Sequence, residues 1–542
     1  MVSSLRTHLT VLAQSASLYP SAPAFRVPVV YHRTNQIKSW KVVSYSQFES
    51  DVELFATYWS RTLAADGLAQ RSVVGLWLGG LTYMDVLHIY GIARAGYVPQ
   101  LFSLKLPNPD IIYELLHKAN ARALIYDAAY VPALSGCHVP VHTAVDVHGV
   151  DLRGARVPAM TDLGTVKRTD TIMMFHTSGS TSGSPKLIPC SYGWLDAIII
   201  KAGQVSKPIS SNRQDVTVFI GSMCHIGQTF MFLGSLQHGA CTVQPTEITF
   251  SSCELVDMIA RCGLNRLNQF PAFLGVHLRN SRKDPQLLVQ LCALDEILYS
   301  GQPMAAEDEA WAYEHGMKMV NLFGSTECGA MLLSARGSGR ANPPLRPMAG
   351  TKYGFLSISL SSPSSAATSA HTNAHAQLVE LVILADSPDC PDPSLRAADG
   401  HYHTGDLFVE VAPGAYVSRG RNDDWIKSST ALRCDTKAIE DNVRATCGDL
   451  VAECIVVGNG RPSPVVFVEA LVAMDAEKLR REIVRRTRQF HVRRYVHERI
   501  TSARMVVVVG RGTLPRTATK GNIRRRVVED MFKVQLDAIF AS

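Results

Sequence analysis

The chain alternates between short apolar runs and longer amphipathic stretches. The runs RSVVGLWLG (71–79) and ARALIYD (121–127) predict buried strands, and TYMDVLHIYGIARAG (82–96) between them predicts a helix that ends at Gly96. Strand, helix and strand in this order are typical of a parallel sheet covered by helices. The strand pattern recurs downstream in TIMMF, VTVFIGS, ACTVQP, LDEILYSG and KMVNLFG. These patterns predict an α/β fold.

Two stretches interrupt this rhythm. Residues 357–376 are rich in Ser and Ala and indicate a surface loop or insertion. Near SRGRNDDWIK (418–427) the character of the chain changes, and the sequence becomes more basic beyond it. The stretch 476–500 predicts a helix whose arginines form a solvated face. A surface for the 3′-phosphate of CoA, for a carrier protein or for RNA is the alternative, but no stacking aromatics interleave the arginines to favour nucleic acid.

Composition narrows the class of protein. A chain of 542 residues predicts two or more domains, and 46% apolar with 19% charged residues is a globular balance. The net charge of +7 suits an anionic cofactor and does not require nucleic acid as a partner. The twelve cysteines include no CxxC pair, which indicates buried thiols in a reducing compartment. No apolar run approaches the ~20 residues of a membrane span, and AIFAS at the end is not a peroxisomal signal, so we expect a cytoplasmic protein.

The run HTSGSTSGSPK (176–186) is the first candidate for chemistry. It is either a flexible linker or a phosphate-binding loop, and the apolar strand 172–175 before it together with the apolar segment after it favours the loop. Glycines let successive N–H groups converge on an anion, hydroxyls donate, and a lysine adds charge. No GK[ST] follows, so it is not a Walker loop. The predicted phosphate contacts are Thr177, Ser178, Gly179, Ser180, Thr181, Ser182, Gly183 and Lys186.

TSGSTSGSPK resembles the phosphate-loop signature of the adenylate-forming superfamily, which comprises acyl- and aryl-CoA synthetases, peptide-synthetase adenylation domains and beetle luciferases. Further segments resemble the signatures of that superfamily in its order: GIARAGYVPQLFSLKLPN, SMCHIGQTF, YSGQPM, NLFGSTECG, YHTGDLF, RGRNDDWIK and LPRTATKG. The sequence around the hinge most resembles that of fungal stand-alone synthetase-like proteins and of the adenylation domains of fungal carboxylate reductases.

The resemblance implies a fold and a reaction. We expect a large multi-sheet N-terminal AMP-binding domain (1–421) with helices on mainly parallel sheets, a hinge (422–424) centred on Asp423, and a small mobile α+β lid (425–542). A carboxylate attacks the α-phosphate of ATP to give acyl-AMP and pyrophosphate, and a thiol, most often that of CoA, then takes the acyl group. ATP, Mg²⁺ and CoA are the implied cofactor and co-substrates.

The resemblance also assigns nucleotide-binding residues. Glu327 should hold Mg²⁺ and Thr326 should donate to the α-phosphate, although STE also suits the start of a helix. Phe323 stands where the family has tyrosine and should stack on adenine, unless it only packs in the core. Asp406 and Arg421 should bind the ribose, and surface residues are the alternative. The remaining implied nucleotide contacts are Gly301, Gln302, Asn321, Gly324 and Ser325, of which Gly301 and Gln302 should line adenine and otherwise form an ordinary strand-end turn.

Two positions depart from the family pattern. The family lysine follows a glycine, whereas here Lys520 precedes Gly521. Its flexible stem should still deliver the ammonium to the α-phosphate, and a solvated loop lysine is the alternative. Ala431 replaces a glycine of the loop that meets the pantetheine arm, which places the thiol acceptor in doubt but not adenylation.

The acyl pocket is expected to draw on His225, Gly227, Phe270 and Ser300. His225 should close the carboxylate pocket or contact the acyl group, although a lone histidine is also common in a core. Amino-acid-activating relatives place an aspartate near this segment, and GSMCHIGQTF contains none. We therefore expect an aryl or aliphatic carboxylic acid without an α-amine.

Three functions remain open at this point. Because the chain stops soon after the lysine loop, a free thiol such as CoA is favoured as the acceptor. A carrier protein in trans or an amine is the first alternative. A nucleotide-binding relative without turnover is the second, since the Lys520 and Ala431 loops are both altered. The oligomeric state is not indicated.

Overall fold

The computed structural model describes residues 5–31, 36–103, 109–134, 136–155, 159–177, 186–336, 342–358, 378–422, 425–427, 429, 433–492, 494, 496–516 and 523–540. Loop residues 178–185, the hinge residue Asp423, Ala431 and Lys520 lie outside these ranges. Their predicted roles therefore stay predictions.

The helices are α1 (His8–Leu18), α2 (Tyr45–Ala65), α3 (Tyr83–Arg94), α4 (Pro109–Lys118), α5 (Tyr192–Val205), α6 (Ile226–Gln237), α7 (Ser252–Asp257), α8 (Pro271–Ser281), α9 (Pro285–Ala293), α10 (Ala306–Glu314), α11 (Thr436–Cys447), α12 (Ala476–Val492), α13 (Arg525–Met531) and α14 (Lys533–Phe540). The strands are β1 (Pro23–Val30), β2 (Ile37–Ser44), β3 (Val73–Leu78), β4 (Val98–Ser103), β5 (Ala123–Tyr126), β6 (Val141–Thr143), β7 (Thr171–Thr177), β8 (Lys186–Ser191), β9 (Val216–Val218), β10 (Cys241–Val243), β11 (Arg266–Gln269), β12 (Glu296–Ser300), β13 (Met319–Ser325), β14 (Gly329–Ser334), β15 (Leu345–Pro347), β16 (Tyr353–Ser357), β17 (Leu378–Ile383), β18 (Tyr402–Ala412), β19 (Ala415–Arg421), β20 (Trp425–Lys427), β21 (Arg433–Asp435), β22 (Val451–Val457), β23 (Val465–Ala470) and β24 (Val506–Val509).

The predicted strand–helix–strand unit lies in a six-stranded sheet with the order β6-β5-β3-β4-β7-β8. β3 pairs in parallel with both β4 and β5, and α3 connects β3 to β4. Thr82 and Asp85 form a capping box at the start of α3, which satisfies N–H groups that have no partner inside the helix. The last pair, β7 and β8, is antiparallel.

Two further sheets precede residue 422. One has the order β2-β1-β10-β9, and the other has the order β11-β12-β13-β14-β15-β19-β18-β17-β16. In the longer sheet β11, β12 and β13 are parallel, but the other six pairings are antiparallel. The α/β fold class is confirmed, and this sheet is more antiparallel than predicted because short returns such as β13 to β14 replace helical crossovers.

The part after residue 425 has its own apolar core. β22, β23 and β24 form a three-stranded sheet, against which α11, α12 and α13 pack. The buried apolar residues of this part form two clusters that lie within 426–536. A smaller α+β unit at this end of the chain was predicted.

The arginine-rich helix behaves as a surface helix. Leu479, Ile483, Thr487 and His491 of α12 are buried at a spacing of four residues. On the outside, Arg485 and Arg486 both pair with Glu482. The helix ends at residue 492 and not at 500 as predicted. The chain then bends back, and the N–H of Ile500 donates to Nδ1 of His491.

Candidate active site

The Gly/Ser run joins two strands of one sheet. β7 ends at Thr177, β8 begins at Lys186, and these two residues face each other in the antiparallel register. The β7 residues 172–175 are buried in the core, and α5 begins directly after β8. The run is therefore a loop within a sheet and not a linker between domains. Binding of phosphate by its residues stays a prediction.

His176 fixes the strand just before this loop. Its ring stacks on Phe102 with centroids 4.5 Å apart. Burial lowers the pKa of His176 to about 4, so the imidazole is neutral. Nδ1 lies 2.9 Å from the carbonyl of Leu101 and Nε2 lies 3.2 Å from Nε2 of Gln100. These partners require a proton on Nδ1, which donates to Leu101, while Nε2 accepts from Gln100. Sequence reasoning did not assign this role to His176.

Thr326 and Glu327 lie in a tight turn between β13 and β14. Ser325 faces Gly329 across the turn, and the N–H of Cys328 donates to Oγ of Ser325 at 3.3 Å. Gly329 has a φ of +63°, a backbone conformation that residues other than glycine rarely adopt. The alternative that STE starts a helix is therefore wrong. The turn leaves the side chains of Thr326 and Glu327 half-buried.

The predicted ribose residues come together. Asp406 on β18 is directly opposite Arg421 on β19, and Nη1 of Arg421 lies 3.3 Å from Oδ1 of Asp406. The side chain of Asp406 is 11% exposed and that of Arg421 is 43% exposed. Thr404 holds the backbone, because its hydroxyl donates to the carbonyl of Leu381 at 2.7 Å and accepts the N–H of Asp406 at 3.0 Å. The carboxylate is thus held within β18, opposite the last residue of β19.

Tyr402 feels the charges of both groups. Burial raises its pKa well above the ordinary value, and the charges of Glu327 and Asp406 add to this effect while Arg421 opposes it. Tyr402 therefore lies within electrostatic reach of the turn and of the Asp406–Arg421 pair. No local sequence pattern indicates that Tyr402 lies near Glu327, since 75 positions separate them.

Two glycines flank the ring of Phe270, a predicted acyl-pocket residue. A Cβ on Gly221 would lie 3.1 Å from Cε2 of Phe270, and one on Gly301 would lie 3.3 Å from Cδ1 and Cε1 on the other side of the ring. Because Gly221 and Gly301 have no side chains, the Phe270 ring can lie close to both of them. Ser300 ends β12 beside Gly301, and a Cβ on Gly227 would meet nothing within 4 Å. Phe270 therefore lies beside Gly301 and close to Ser300, and an acyl pocket that Phe270 and Ser300 share stays a prediction.

Of the other predicted contacts, Asn321, Phe323 and Gly324 lie on β13. His225 is the residue before α6 and is close enough to His176 to oppose its protonation. Asn321 faces Tyr299 on β12, and its N–H donates to Ser334 at 2.9 Å. Phe323 packs edge-on against Phe408 at 5.1 Å and remains half-buried. Gln302 is exposed, and a Cβ on Gly324 would lie 2.5 Å from the carbonyl of Gly329.

The donor set at the turn fits a magnesium ion that is shared with phosphate. Among the residues that the structure describes, no cluster of three or more His, Cys, Asp or Glu side chains could hold a metal. A single half-buried carboxylate at Glu327 therefore offers one ligand. Mg²⁺ commonly binds through one or two carboxylates together with the phosphates of a nucleotide.

Comparison with known proteins agrees with this architecture. Residues 12–356 match the family described as AMP-binding enzyme, and residues 423–542 match the AMP-binding enzyme C-terminal domain. The chain belongs to the AMP-binding enzyme family. The AMP-binding domain-containing enzyme iboA of the fungus Amanita muscaria (strain Koide BX008) is 33% identical over 520 residues, which cover 94% of this chain and 98% of that protein. The predicted membership of the adenylate-forming superfamily is confirmed.

Solved structures share the fold of this AMP-binding enzyme. The O-succinylbenzoate coenzyme A synthetase of Bacillus subtilis in complex with AMP matches with a TM-score of 0.74 at 15% identity, covering 96% of this chain and 98% of that chain. The anthranilate CoA ligase AuaEII in complex with anthranoyl-AMP matches with a TM-score of 0.71 at 17% identity, covering 98% of both chains. At these identities the likeness shows the fold alone. Among the described helices of this AMP-binding enzyme, none has both the length and the apolarity to cross a bilayer.

Proposed function

We propose that this AMP-binding enzyme activates a carboxylic acid without an α-amine, aryl or aliphatic, and transfers the acyl group to a thiol. The observation that carries the proposal is the Asp406–Arg421 pair across β18 and β19, since both this pair and Glu327 are near enough to Tyr402 for their charges to shift its pKa. One carboxylate beside a phosphate site and a second beside an arginine match the needs of a metal-bound triphosphate and of a ribose diol.

In the first step, a carboxylate oxygen of the acid forms a bond to the α-phosphorus while the bond from that phosphorus to the bridging oxygen of pyrophosphate breaks. The hydroxyl of Thr326 donates to the α-phosphate, and Glu327 would hold Mg²⁺, which neutralises phosphate charge when bound. Asp406 accepts hydrogen bonds from the ribose hydroxyls, and Arg421 holds that carboxylate in place. Lys520 adds a cation at the α-phosphate.

In the second step, the sulfur of the acceptor attacks the acyl carbonyl carbon, AMP leaves, and the thiol proton passes to solvent or to the departing phosphate. CoA is the proposed acceptor. The names of two solved relatives of the same fold, a coenzyme A synthetase and a CoA ligase, support it. The anthranilate ligase also supports an aryl acid. Ala431 keeps a carrier protein or an amine as the alternative acceptor.

Exchange of labelled pyrophosphate into ATP across a panel of acids tests the first step. The panel pairs each α-amino acid with its des-amino analogue. We expect exchange with one or more des-amino acids, and exchange only with α-amino acids would contradict the substrate class. Mass spectrometry of the acyl product with CoA then tests the acceptor. Pyrophosphate exchange without formation of an acyl-CoA thioester would contradict CoA as the acceptor and would favour a carrier protein or an amine.

A further inference from the structure

One face of α5 contacts the turn that bears Glu327. Nε1–H of Trp194 donates to the carbonyl of Glu327 at 2.9 Å. Nζ of Lys201 donates to the carbonyl of Cys328 at 2.6 Å. Between them, the side chain of Ile198 lies against Gly329, where an added Cβ would be 2.7 Å from Cδ1. Positions 194, 198 and 201 lie on one side of a helix, so α5 supports three consecutive residues of the turn.

Lys201 is held by a buried carboxylate. Nζ lies 2.6 Å from Oδ2 of Asp389, and the two side chains are 2% and 0% exposed. The hydroxyl of Ser387 donates to Oδ1 of Asp389 at 2.6 Å, and the hydroxyl of Tyr353 donates to Oδ2. A buried ion pair contributes little net stability but strongly disfavours any geometry that leaves either charge without its partner. The ammonium is thus fixed in direction towards the carbonyl of Cys328.

The contacts with α5 also fix the backbone of the turn. With their carbonyl groups bound to α5, Glu327 and Cys328 cannot rotate their peptide planes without loss of these hydrogen bonds. The backbone of Glu327 is therefore fixed while its half-buried carboxylate stays accessible. The same helix follows β8 directly in the chain.

We propose that Trp194 and Lys201 are positioning residues that orient the Glu327 carboxylate towards metal-bound nucleotide. The inference rests on the proposed role of Glu327. Neither residue touches substrate; both act through the backbone of the turn. Asp389 acts one step further away, by orienting Lys201.

Calorimetric binding of ATP separates this role from simple stabilisation. The readout is the ratio between the Kd for ATP with EDTA and the Kd for ATP with saturating Mg²⁺, and no acid is required. In the wild-type protein Mg²⁺ should strengthen ATP binding, and Glu327→Gln should abolish that preference. Trp194→Phe keeps the aromatic packing and removes the donor, so it should reduce the preference about fivefold, the worth of one hydrogen bond.

Trp311→Phe is the matched control. Trp311 lies on α10, and its indole N–H donates to Oγ of Ser281 at 3.2 Å. Loss of this donor should leave the ratio of the two Kd values unchanged. Lys201→Met combined with Asp389→Asn removes both charges of the buried pair and provides a second test should Trp194→Phe fail to fold. We expect this double variant to lose most of the Mg²⁺ preference while still folding cooperatively by differential scanning fluorimetry.

The outcomes distinguish the inference from the proposed function. If Glu327→Gln abolishes the preference but the Trp194 and Lys201/Asp389 variants keep it and only lower Tm, the positioning role is overturned and the proposed function stands. If the wild-type protein binds ATP equally with and without Mg²⁺, the role of Glu327 and the inference that rests on it are both overturned.

Discussion

At the residue scale, the site depends on pairs of side chains whose geometry is set by neighbours. Asp406 and Arg421 illustrate this, because the strand register places them opposite each other and the hydroxyl of Thr404 accepts the N–H of Asp406. A carboxylate held by one guanidinium keeps its charge and its orientation, which is what recognition of two vicinal hydroxyls requires.

Asp406→Asn should therefore weaken ATP binding. The amide has one acceptor oxygen and no charge, and the loss of a charge-assisted hydrogen bond should raise the KM for ATP by roughly 10- to 100-fold with a smaller effect on kcat. Pyrophosphate exchange at varied ATP measures this. Asp399→Asn removes another carboxylate close in sequence, one that pairs with exposed His403, and serves as the control. Equal KM values for the two variants would contradict a ribose role for Asp406.

At the element scale, the hairpin of β13 and β14 brings the turn to α5. Sequence motifs predicted that Thr326 and Glu327 belong together, but they did not indicate a hairpin, because STE satisfies the local rules for a helix start equally well. Nor did they indicate Trp194 or Lys201. The contact from Trp194 to Glu327 spans 133 positions, and such a long-range contact leaves no local pattern in a single sequence.

Motifs worked better where the chain is locally determined. The capped helix α3 was predicted by its apolar face and by the glycine that follows it. The strands β7, β12 and β13 were predicted by apolar runs. The end of α12 was predicted too late, because a bend fixed by His491 and Ile500 depends on tertiary contact and not on helix propensity.

Gly329→Ala tests the hairpin. The alanine would have to adopt the positive φ of Gly329, and its Cβ would lie 2.7 Å from Cδ1 of Ile198. Gly316→Ala is a matched control, because Gly316 has φ of +70° but an added Cβ meets nothing within 4 Å. Backbone strain should lower the free energy of unfolding of both variants by about 1–2 kcal/mol. Overpacking should lower that of Gly329→Ala by about 1–3 kcal/mol more. Urea unfolding measures the difference, and equal destabilisation would contradict the close packing of α5 on the turn.

At the scale of the whole molecule, the chain combines a large multi-sheet part with a smaller α+β part, and buried histidines occur in both. Burial lowers the pKa of His8, His88, His176, His277 and His491 to about 4 from an ordinary value of 6.5. Each of these side chains is therefore neutral in the folded protein. The unfolded chain binds more protons than the folded chain between pH 6.5 and 4.

Stability should consequently fall as pH decreases through this window. Because protonation is linked to unfolding, each such histidine should lower the free energy of unfolding by at most roughly 2 kcal/mol between pH 7.5 and 5. The Tm measured from pH 7.5 to 4.5 tests this prediction. His8→Gln should make the decline shallower, whereas His117→Gln at an exposed position of α4 should not. A Tm that stays constant from pH 7 to 5 would contradict the burial of neutral histidines.

In the proposed reaction, a carboxylate oxygen of the substrate attacks the α-phosphate of ATP. Incubation with ATP, CoA and the acid that supports the fastest exchange, labelled with ¹⁸O in both carboxyl oxygens, follows that oxygen directly by mass spectrometry. Acyl-AMP formation predicts that AMP gains one ¹⁸O atom and that the thioester keeps the other. Release of ADP with ¹⁸O in inorganic phosphate, or of AMP without label, would contradict the mechanism.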